Sequence, residues 1–350
     1  IMKKINILQL ITGLGMGGAE RVVLDLSKNI DKNKFSNQVI GIAKRNELLP
    51  QFFEDNICVM SLNKDNNLKD FYLMIKEVND YIRKNNINII HAHLAHALIV
   101  ASIVKIFNPT LKIVFTSHSL NIGSKLIEFL IFILKPLRNI DIIFSKDLLK
   151  YFYKSNYIIL PNGVDIKKYD LNLSKNSKFT FIAIGRLETV KNHKFLIEIA
   201  NNLKDKYDFS IHIVGEGYLR KELEEKIREF GLEEKVKLLG MRNDIPELLN
   251  KSHCLLMPSL WEGLPMVILE SGASKVPIIS TPVGSVPSIL NEKNSYLSEL
   301  SKFQDTMIYL INNYEEAKTK AIALLDDIVF NYSVESIVEK HEKIYQRLNS

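Results

Sequence analysis

Cysteine is scarce in this chain of 350 residues, which contains only two cysteines. Two thiols cannot build a disulfide framework or a cysteine-rich metal site. Cys58 and Cys254 both lie in apolar runs, so we expect them to be buried thiols of the core. This usage fits a reducing cytoplasm.

Long apolar runs are also missing from the sequence. No stretch approaches the roughly 18 uncharged apolar residues that predict a membrane-spanning helix. The start of the chain, Ile1-Met2-Lys3-Lys4, leads into a short apolar run without a signal-peptide cleavage pattern. We therefore expect a cytoplasmic protein, with peripheral attachment to the inner face of the cell membrane left open.

Charge is distributed unevenly along the chain. The sequence has 46 Lys and Arg against 40 Asp and Glu, a net charge of +6. Residues 1–165 hold 21 basic and 14 acidic side chains, a net charge of +7, so residues 166–350 hold the other 25 and 26, a net charge of −1. A basic first half suggests an anionic partner, such as nucleic acid, a membrane surface or a phosphorylated ligand.

Short apolar runs alternate with segments of helical period. Runs rich in Ile and Val, such as Ile5–Ile11 and Phe179–Ile184, are typical of buried parallel strands. Segments such as Ala19–Ile30 and His193–Lys206 have the spacing of amphipathic helices. Strand–helix–strand alternation predicts an α/β protein with doubly wound parallel sheets.

The alternation starts again in the second half of the chain. The polar segment Leu171–Lys178 reads as a linker, which predicts Rossmann-like domains over residues 1–170 and 171–330. Residues 331–350 form an amphipathic tail, which we expect to be a helix that packs back on the first domain.

A glycine-rich loop, Gly13–Gly18, follows the first predicted strand and opens a helix. Such loops bind phosphates through backbone N–H groups and the positive helix end. A dinucleotide site also needs an acidic residue about 20 residues later, to hold the ribose. The corresponding segment, Gly41–Arg45, is basic, which disfavours NAD; a tight turn without a ligand remains an alternative.

The second half carries a stronger pattern. Arg186 and Lys191 lie in one strand-to-helix loop, where two cations would suit a diphosphate, although both could be ordinary surface cations. Glu262 and Glu270 are separated by seven residues, and Pro265 is well placed as a first helical residue. Glu270 follows an apolar run, so its carboxylate needs a partner such as ribose hydroxyls or an internal cation.

Three histidines, His91, His93 and His96, follow one another closely at the end of a predicted strand. A zinc site is conceivable, since His is a common metal ligand. However, His91 and His93 share a strand face, and no Cys or acidic ligand is nearby. We therefore predict no metal ion at these histidines, and we favour a role in lining a cleft, with plain packing as the alternative.

Taken together, these motifs resemble those of the family 4 glycosyltransferases, and the match covers essentially the whole chain. Six motifs in chain order carry it: Gly17-Gly-Ala-Glu20, Thr116-Ser-His118, Pro161-Asn-Gly-Val-Asp165, Gly185-Arg186 with Lys191-Asn-His193, Val214-Gly-Glu-Gly217, and Glu262 to Glu270. The resemblance implies the GT-B fold, in which two Rossmann-like domains face a cleft. It also implies a first domain that binds the acceptor, a second that binds a nucleotide-sugar, and metal-independent transfer with retention of configuration.

The resemblance also implies roles for individual residues. The implied catalytic residues are Arg186, Lys191, Glu262 and His118. The implied donor-binding residues are Gly17, Gly18, Gly215, Met241, Arg242, Gly263, Leu264, Pro265, Met266 and Glu270. The implied acceptor-cleft residues are His91, His93 and Gly15. The turn Gly284–Ser288 departs from the family pattern, which often has Gly-Gly followed by Pro-Glu.

The function implied is a hexosyltransferase that moves a sugar from a UDP-sugar to a lipid-linked or cell-surface glycan, as in lipopolysaccharide or capsule synthesis. A nucleotide-sugar epimerase and an inactive sugar-nucleotide-binding partner subunit remain alternatives. Nucleic acid is not an expected partner. The apolar segment Lys125–Arg138 is either a buried helix or a membrane-facing one, in which Lys125, Lys135 and Arg138 would meet anionic lipid.

Overall fold

The computed structural model describes residues 4–65, 67–118, 124–144, 146 and 149–350. The chain divides into two compact units. The first unit comprises Ile1–Gly163 with Val334–Ser350, and the second comprises Val164–Ser333. The structural boundary therefore lies a few residues before the boundary at residue 170 that the sequence suggested.

Strands and helices alternate along the described chain. The strands are β1 (Ile5–Ile11), β2 (Phe35–Ala43), β3 (Cys58–Lys64), β4 (Ile89–His93), β5 (Lys112–Thr116), β6 (Ile140–Ile143), β7 (Ile158–Ile159), β8 (Phe179–Ile184), β9 (Phe209–Val214), β10 (Val236–Gly240), β11 (Cys254–Met257), β12 (Ile278–Ser280) and β13 (Tyr296–Leu297). The helices are α1 (Gly18–Asn29), α2 (Leu49–Glu54), α3 (Leu68–Lys84), α4 (Ala95–Phe107), α5 (Lys125–Ile133), α6 (Ile166–Tyr169), α7 (His193–Leu203), α8 (Arg220–Glu229), α9 (Ile245–Lys251), α10 (Met266–Ala273), α11 (Leu300–Asn312), α12 (Tyr314–Tyr332) and α13 (Val334–Asn349).

Each unit is built on one parallel sheet. The sheet of the first unit has the strand order β3-β2-β1-β4-β5-β6-β7, and that of the second has the order β10-β9-β8-β11-β12-β13. Every pair of neighbouring strands is parallel. In both sheets the order reverses direction beside the first strand, which confirms the predicted doubly wound architecture.

In the first unit, alternate residues of β1 face opposite sides of the sheet. Leu8 and Leu10 pack in one apolar cluster with residues of α3 and α4. Ile5 and Ile7 pack in another cluster with residues of α1 and the C-terminal helix α13. Because successive strand side chains point to opposite faces, an Ile- and Leu-rich strand can fill a core on both sides.

The second unit repeats this arrangement. Phe181 and Ala183 of β8 pack with residues of α7, α8 and α11 on one face. Ile182, between them, packs with residues of α10 and α12 on the other face. Both faces of the central strand are buried, so the carboxyl edge of the sheet is where polar side chains can meet a ligand.

The two cysteines differ in exposure. Cys254 is buried in β11, as expected, but Cys58 is exposed. The prediction for Cys58 is wrong because β3 is the edge strand of its sheet. Within the described residues, no helix combines the length and apolar character needed to cross a membrane.

Candidate functional site

The loops that follow β8, β9 and β10 are in direct backbone contact. Gly215 has a φ of +139°, and a Cβ built on it would lie 2.0 Å from the carbonyl oxygen of Gly185. Its own N–H donates to the carbonyl of Gly240 at 2.9 Å. Only glycine allows this backbone conformation and this approach together. The donor-binding role implied for Gly215 therefore coincides with a structural need at the same position.

Lys191 and Glu262 meet at the carboxyl edge of the second sheet. Lys191 Nζ lies 2.6 Å from Glu262 Oε1, and the Ser259 hydroxyl donates to the same oxygen at 2.6 Å. Glu262 is buried, which makes this charged pair well shielded from water. The sequence suggested both charged residues separately; their pairing, and the role of Ser259, emerge only from the structure.

Backbone contacts fix the loops that carry this pair. Leu260 N–H donates to the carbonyl of Val190 at 2.8 Å, and the side-chain amide of Asn192 donates from Nδ2 to the carbonyl of Pro258 at 3.2 Å. Gly284 has a φ of +55°, and a Cβ built on it would lie 1.8 Å from the carbonyl oxygen of Glu262. The turn that departs from the family pattern therefore still packs directly on Glu262.

Arg186 is the most accessible of the predicted catalytic residues. Its side chain is 77% exposed, and its Nη1 lies 2.9 Å from Glu188 Oε1. An exposed ion pair of this kind is weak, commonly below about 1 kcal/mol. The guanidinium can therefore exchange Glu188 for an anionic ligand at little cost.

Glu270 lies inside α10, where its Oε1 accepts a hydrogen bond from the Tyr169 hydroxyl at 2.9 Å. Burial raises the pKa of Glu270, and the hydrogen bond from Tyr169 and the charge of Lys168 oppose that rise. The sequence predicted a partner for this carboxylate but not Tyr169, because the two residues are 101 positions apart.

The segment Gly263–Met266 leads into α10. Pro265 is the N-cap residue and Met266 the first helical residue, one position later than the sequence suggested. No side chain of the described residues caps this helix N-terminus. Ile268 N–H donates to the Pro265 carbonyl at 3.1 Å, whereas the N–H groups of Met266 and Val267 precede the first intrahelical acceptor and can donate to a ligand of negative charge.

Met241 and Arg242 follow β10, where the resemblance implies contact with the nucleotide base. The Met241 side chain is exposed, whereas Arg242 forms two contacts to Asp244, from Nε at 2.7 Å and from Nη2 at 2.5 Å. A base-binding role would rest on the Met241 side chain and the backbone of this turn.

In the first unit, the glycine-rich loop ends where α1 begins. Gly17 is the N-cap residue, and no side chain of the described residues caps the helix through a hydrogen bond. Among the described residues, none lies within 4 Å of a Cβ built on Gly18, whereas one built on Gly15 would lie 3.4 Å from Glu47 Oε2. The Glu20 carboxylate folds back to Gly17, so an anion that bound the backbone donors of α1 would have to displace it.

His118 follows β5 in a left-handed conformation, with a φ of +59°. Its Nε2 lies 2.7 Å from His93 Nδ1, and His93 Nε2 lies 2.8 Å from Gln9 Oε1. A non-glycine residue at positive φ is strained and is common at functional sites. Gln9, which the sequence analysis did not single out, therefore connects the core to His118.

This chain of contacts fixes the tautomer of His118. Gln9 Oε1 can only accept, so His93 Nε2 carries the proton and its Nδ1 accepts from His118 Nε2–H. Burial lowers the pKa of His118 to about 3, so the ring is neutral near pH 7. Its Nδ1 is then an acceptor, and it has no hydrogen-bond partner among the described residues.

His91 and His93 are buried rather than exposed in a cleft. His91 Nδ1 lies 2.7 Å from the Tyr345 hydroxyl, and its Nε2 lies 2.9 Å from Thr116 Oγ1. Burial lowers the pKa of both histidines. Both ring nitrogens of each histidine have hydrogen-bond partners within the protein. These side chains therefore differ from the predicted contact with an acceptor, and His93 contacts His118 instead.

The three neighbouring histidines do not converge. His96 is exposed, unlike His91 and His93. Across the described ranges, no three His, Cys, Asp or Glu side chains are grouped in a way that could hold a metal ion.

The segment Lys125–Arg138 is largely exposed. Within α5, Ile131 is buried, whereas Leu126, Phe129, Leu130, Phe132 and Ile133 are exposed. Arg138, by contrast, is buried, and its Nη2 donates to Asp141 Oδ2 at 2.8 Å. The prediction that Arg138 would meet anionic lipid is therefore wrong, since its charge is neutralised inside the core.

Comparisons with known proteins agree with this architecture. Residues 166–322 match the family described as Glycosyl transferases group 1, and residues 16–168 match that described as Glycosyltransferase Family 4. A solved structure of Anabaena HepE in complex with UDP superposes with a TM-score of 0.81 at 20% identity, covering 98% of this chain and 100% of that one. A glycosyltransferase from Rickettsia africae gives 0.82 at 20% identity, with both chains fully covered. These likenesses confirm the predicted fold.

Two relatives have a higher sequence identity to this chain, 30% and 31%, over a smaller part of it. An N-acetylgalactosamine-N,N'-diacetylbacillosaminyl-diphospho-undecaprenol 4-alpha-N-acetylgalactosaminyltransferase of Campylobacter jejuni is 30% identical over 304 residues, 80% of this chain and 81% of the relative. A UDP-Gal:alpha-D-GlcNAc-diphosphoundecaprenol alpha-1,3-galactosyltransferase of Escherichia coli is 31% identical over 208 residues, 53% of each chain. This chain spans about half the length of that second relative.

Proposed function

Since the chain belongs to the family 4 glycosyltransferases, we propose that it transfers a sugar from a UDP-sugar to a glycan on a lipid carrier, with retention of anomeric configuration. The observation that carries this proposal is the grouping of charged residues in the second unit. Lys191 and Glu262 are paired at 2.6 Å, and the loops after β8, β11 and β12 hold that pair in place.

The cations of the second unit would stabilise the leaving group. Departure of UDP builds negative charge on its diphosphate, and fixed cations and helix ends can stabilise such charge without a metal ion. Arg186 is exposed and weakly paired, and the start of α10 offers backbone N–H groups. We therefore expect the enzyme to need neither a metal ion nor a cofactor.

Glu262 and His118 would contact the transferred sugar. Both present acceptors, a buried carboxylate and a neutral imidazole nitrogen, and sugar hydroxyls are suitable donors. The bond from the anomeric carbon to the phosphate oxygen breaks while the acceptor oxygen bonds to the same face. The proton of the acceptor hydroxyl passes to the leaving phosphate, so no carboxylate nucleophile is required.

The lipid carrier is proposed from two relatives. The printed names of the Campylobacter jejuni and Escherichia coli enzymes describe acceptors linked to undecaprenol through a diphosphate. The net charge of +7 on residues 1–165 is consistent with a phosphorylated acceptor. In this proposal the first unit binds that acceptor and the second unit binds the UDP-sugar.

Product analysis with a panel of UDP-sugars tests this function. The protein should release UDP and glycosylate a lipid-diphosphate acceptor, and it should remain active in excess EDTA. A nucleotide-sugar epimerase would convert the donor without an acceptor, and an inactive partner subunit would turn over nothing. Loss of activity in EDTA with recovery on adding Mg²⁺ or Mn²⁺ would contradict metal independence.

The Arg186→Ala variant tests the diphosphate site. Removal of a preorganised charge-stabilising group lowers kcat by about 100-fold or more. Lys194→Ala is a matched control, because Lys194 is an exposed cation on α7 that pairs with Glu222 at 2.8 Å. Arg186→Ala activity within tenfold of wild type would argue against the assignment.

We also propose that the exposed face of α5 docks on an anionic membrane. Five large apolar side chains lie exposed on this helix, and Lys125 at its start is exposed. An amphipathic helix of this kind can lie in the lipid interface, with each nearby cation adding about 1 kcal/mol. Docking there would keep the protein beside an acceptor that does not leave the bilayer.

Liposome flotation tests the docking surface. Wild type should bind vesicles that contain phosphatidylglycerol, and binding should weaken as salt is raised. A Phe129→Glu/Phe132→Glu variant should lose binding, while Phe330→Glu, at an exposed Phe of the second unit, should retain it. Equal binding by the two variants would remove α5 from the interface.

A further inference from the structure

The first unit contains a cavity of about 360 Å³ that the proposed mechanism does not use. Part of its lining, Thr12, Gly13, Ala43 and Leu94, comes from the ends of β1, β2 and β4 or the residues that follow them. The carboxyl edge of an open α/β sheet is where ligands of this fold class bind. The cavity is therefore well placed for a substrate.

Apolar side chains dominate the inner wall of the cavity. β2 contributes Ile42 and Ala43, α3 contributes Phe71 and Met74, and α4 contributes Ile99 and Val100, while Leu94 lies just before α4. A sugar placed against such a wall would leave hydroxyl groups buried without partners, which costs free energy. A hydrocarbon group fits the wall better, because it has no such groups to satisfy.

The charged residues of the lining are not equivalent. Lys64 Nζ lies 2.7 Å from Glu77, and Asp65 lies 2.5 Å from Lys44 Nζ, so these two side chains have partners. Arg45 is exposed, and it forms no ion pair with any described residue. One cation of the lining is thus available to a phosphate.

Arg45 is held beside the glycine-rich loop. Its carbonyl accepts from Leu14 N–H at 2.7 Å, and its Cβ would lie 3.2 Å from a Cβ built on Gly13. Glu20, the other acidic residue of the lining, turns back on Gly17, where its Oε2 would lie 2.3 Å from an added Cβ. The Glu20 carboxylate thus lies over the start of α1.

The cavity extends away from His118 along the carboxyl edge of the sheet. Its near side is at Leu94, which follows β4 and whose N–H donates to the carbonyl of Thr116, the last residue of β5, at 2.9 Å. Its far side is at Ala43 of β2, which is three strand spacings, about 15 Å, from β5 in the order of the sheet. If the acceptor hydroxyl reacts near His118, the far side of the cavity faces the part of the acceptor beyond its terminal sugar.

We propose that this cavity binds the hydrocarbon next to the phosphate of a prenyl-diphosphate-linked acceptor, with Arg45 contacting the phosphate. The inference rests on the proposed function, since it requires a lipid-linked acceptor. It adds a binding site for the lipid part itself, distinct from α5, which lies on the bilayer surface in the docking proposal. The enzyme would then recognise the junction between lipid and phosphate as well as the sugar.

Calorimetric titration with geranyl diphosphate, in saturating UDP, tests the site. Geranyl diphosphate should bind at least tenfold more tightly than inorganic diphosphate. Ile99→Trp, which fills the cavity from α4, should lower the affinity for geranyl diphosphate at least tenfold. Ile103→Trp is the matched control, because Ile103 is half-buried one turn later on the same helix and does not line the cavity.

Arg45→Gln should lower the affinity for geranyl diphosphate but leave the affinity for geraniol unchanged. Lys84→Gln removes an exposed cation at the end of α3 that lies away from the cavity, and it should change neither affinity. Equal affinity for geranyl and inorganic diphosphate, or an unchanged affinity in Ile99→Trp, would overturn the proposal. So would binding of N-acetylglucosamine that Ile99→Trp abolishes while geranyl diphosphate is unaffected, because the cavity would then hold a sugar.

The same titration separates this proposal from the proposed function. UDP affinity of the wild type is measured first, in the absence of any lipid. If UDP fails to bind while geranyl diphosphate binds in the cavity, the donor assignment fails and the lipid site stands. If UDP binds and turnover occurs while Ile99→Trp changes nothing, the lipid site fails alone.

Discussion

Glu262 and Glu270 have different surroundings, which predicts different effects on the donor. Glu262 holds Lys191, whereas Glu270 is bonded to Tyr169 and needs a donor such as ribose. Glu270→Gln should therefore lower the affinity for free UDP and for UDP-sugar alike. Glu262→Gln should leave the affinity for free UDP unchanged, because it frees Lys191 for the diphosphate, but it should lower the affinity for UDP-sugar, because the sugar contact is lost. Calorimetry that finds equal losses of UDP affinity in both variants would refute this division.

The raised pKa of Glu270 predicts a pH dependence at the same site. Ribose hydroxyls donate to the ionised carboxylate, so UDP affinity should fall as pH falls through that pKa. Tyr169→Phe removes a hydrogen bond that favours the charged form, so the loss should begin at a higher pH. Affinity measured from pH 8 to pH 5 in both proteins checks the direction; a shift to lower pH would contradict it.

Gln9 acts on His118 only through His93, so it is a positioning residue. Gln9→Met removes the acceptor for His93 Nε2–H and frees the ring to change tautomer. We expect kcat to fall by about 10- to 100-fold, the size of effect seen when the group that orients a metal-binding histidine is removed, with UDP affinity unchanged. Ser27→Ala, at another buried polar residue of the first unit, is the control. A change in UDP affinity equal to the change in kcat would indicate a general structural defect.

At the scale of elements, the site is formed by loops that follow different strands. Gly284 and Gly231 both have positive φ, +55° and +60°. An added Cβ at Gly284 would meet the Glu262 carbonyl, whereas one at Gly231 would have no neighbour within 4 Å in the part of the chain that the structure describes. Alanine should therefore strain the backbone at both positions but displace a loop only at Gly284.

The predicted result is a difference between two alanine variants. Both should lose stability by roughly 1 kcal/mol or more, because Ala is disfavoured at positive φ. Gly284→Ala should also lose UDP-sugar affinity and turnover, since Glu262 must move, while Gly231→Ala should retain both. Thermal unfolding and steady-state kinetics on the pair distinguish these effects, and equal kinetics in the two variants would exclude a role for the turn.

For the whole molecule, the buried histidines predict lower stability in mild acid. Burial lowers the pKa of His118 to about 3 and those of His341 and His193 to about 4. Below the unfolded value of about 6.5, the unfolded chain binds protons that the folded chain does not. The unfolding free energy should therefore fall as pH falls from 7 to 5, by about 2 kcal/mol for each such histidine.

The His341→Gln variant measures one part of this dependence. Glutamine keeps a donor for the Ile337 carbonyl, which His341 Nδ1 contacts at 2.9 Å, but it does not titrate. Urea unfolding at pH 7 and pH 5 should show a smaller loss of stability in His341→Gln than in wild type. His96→Gln, at an exposed histidine, should match wild type. Identical losses in all three proteins would contradict the linkage.

The sequence by itself determined the architecture and the positions of the chemical groups. The short, Ile-rich apolar runs of β1 and β8, which alternate with helical segments, indicate strands of a sheet covered on both faces. Motif glycines at strand ends likewise identified loops that must bend tightly. The roles carried over to Arg186, Glu262 and Glu270 remain predictions that the proposed variants test.

The tertiary structure decided how those groups are paired and exposed. Pairings such as Tyr169 with Glu270, or Gln9 with His93, join residues 101 and 84 positions apart. Local pattern carries no information about such contacts, which depend on the register of strands and the packing of helices. Arg138 is the clearest example of what the sequence could not predict. An apolar helix with flanking cations has the same sequence pattern whether such a cation contacts lipid or, as Arg138 does, pairs with a buried carboxylate, here Asp141 three residues away. Only the fold settles which charges are enclosed, since burial depends on distant chain segments that cover a side chain.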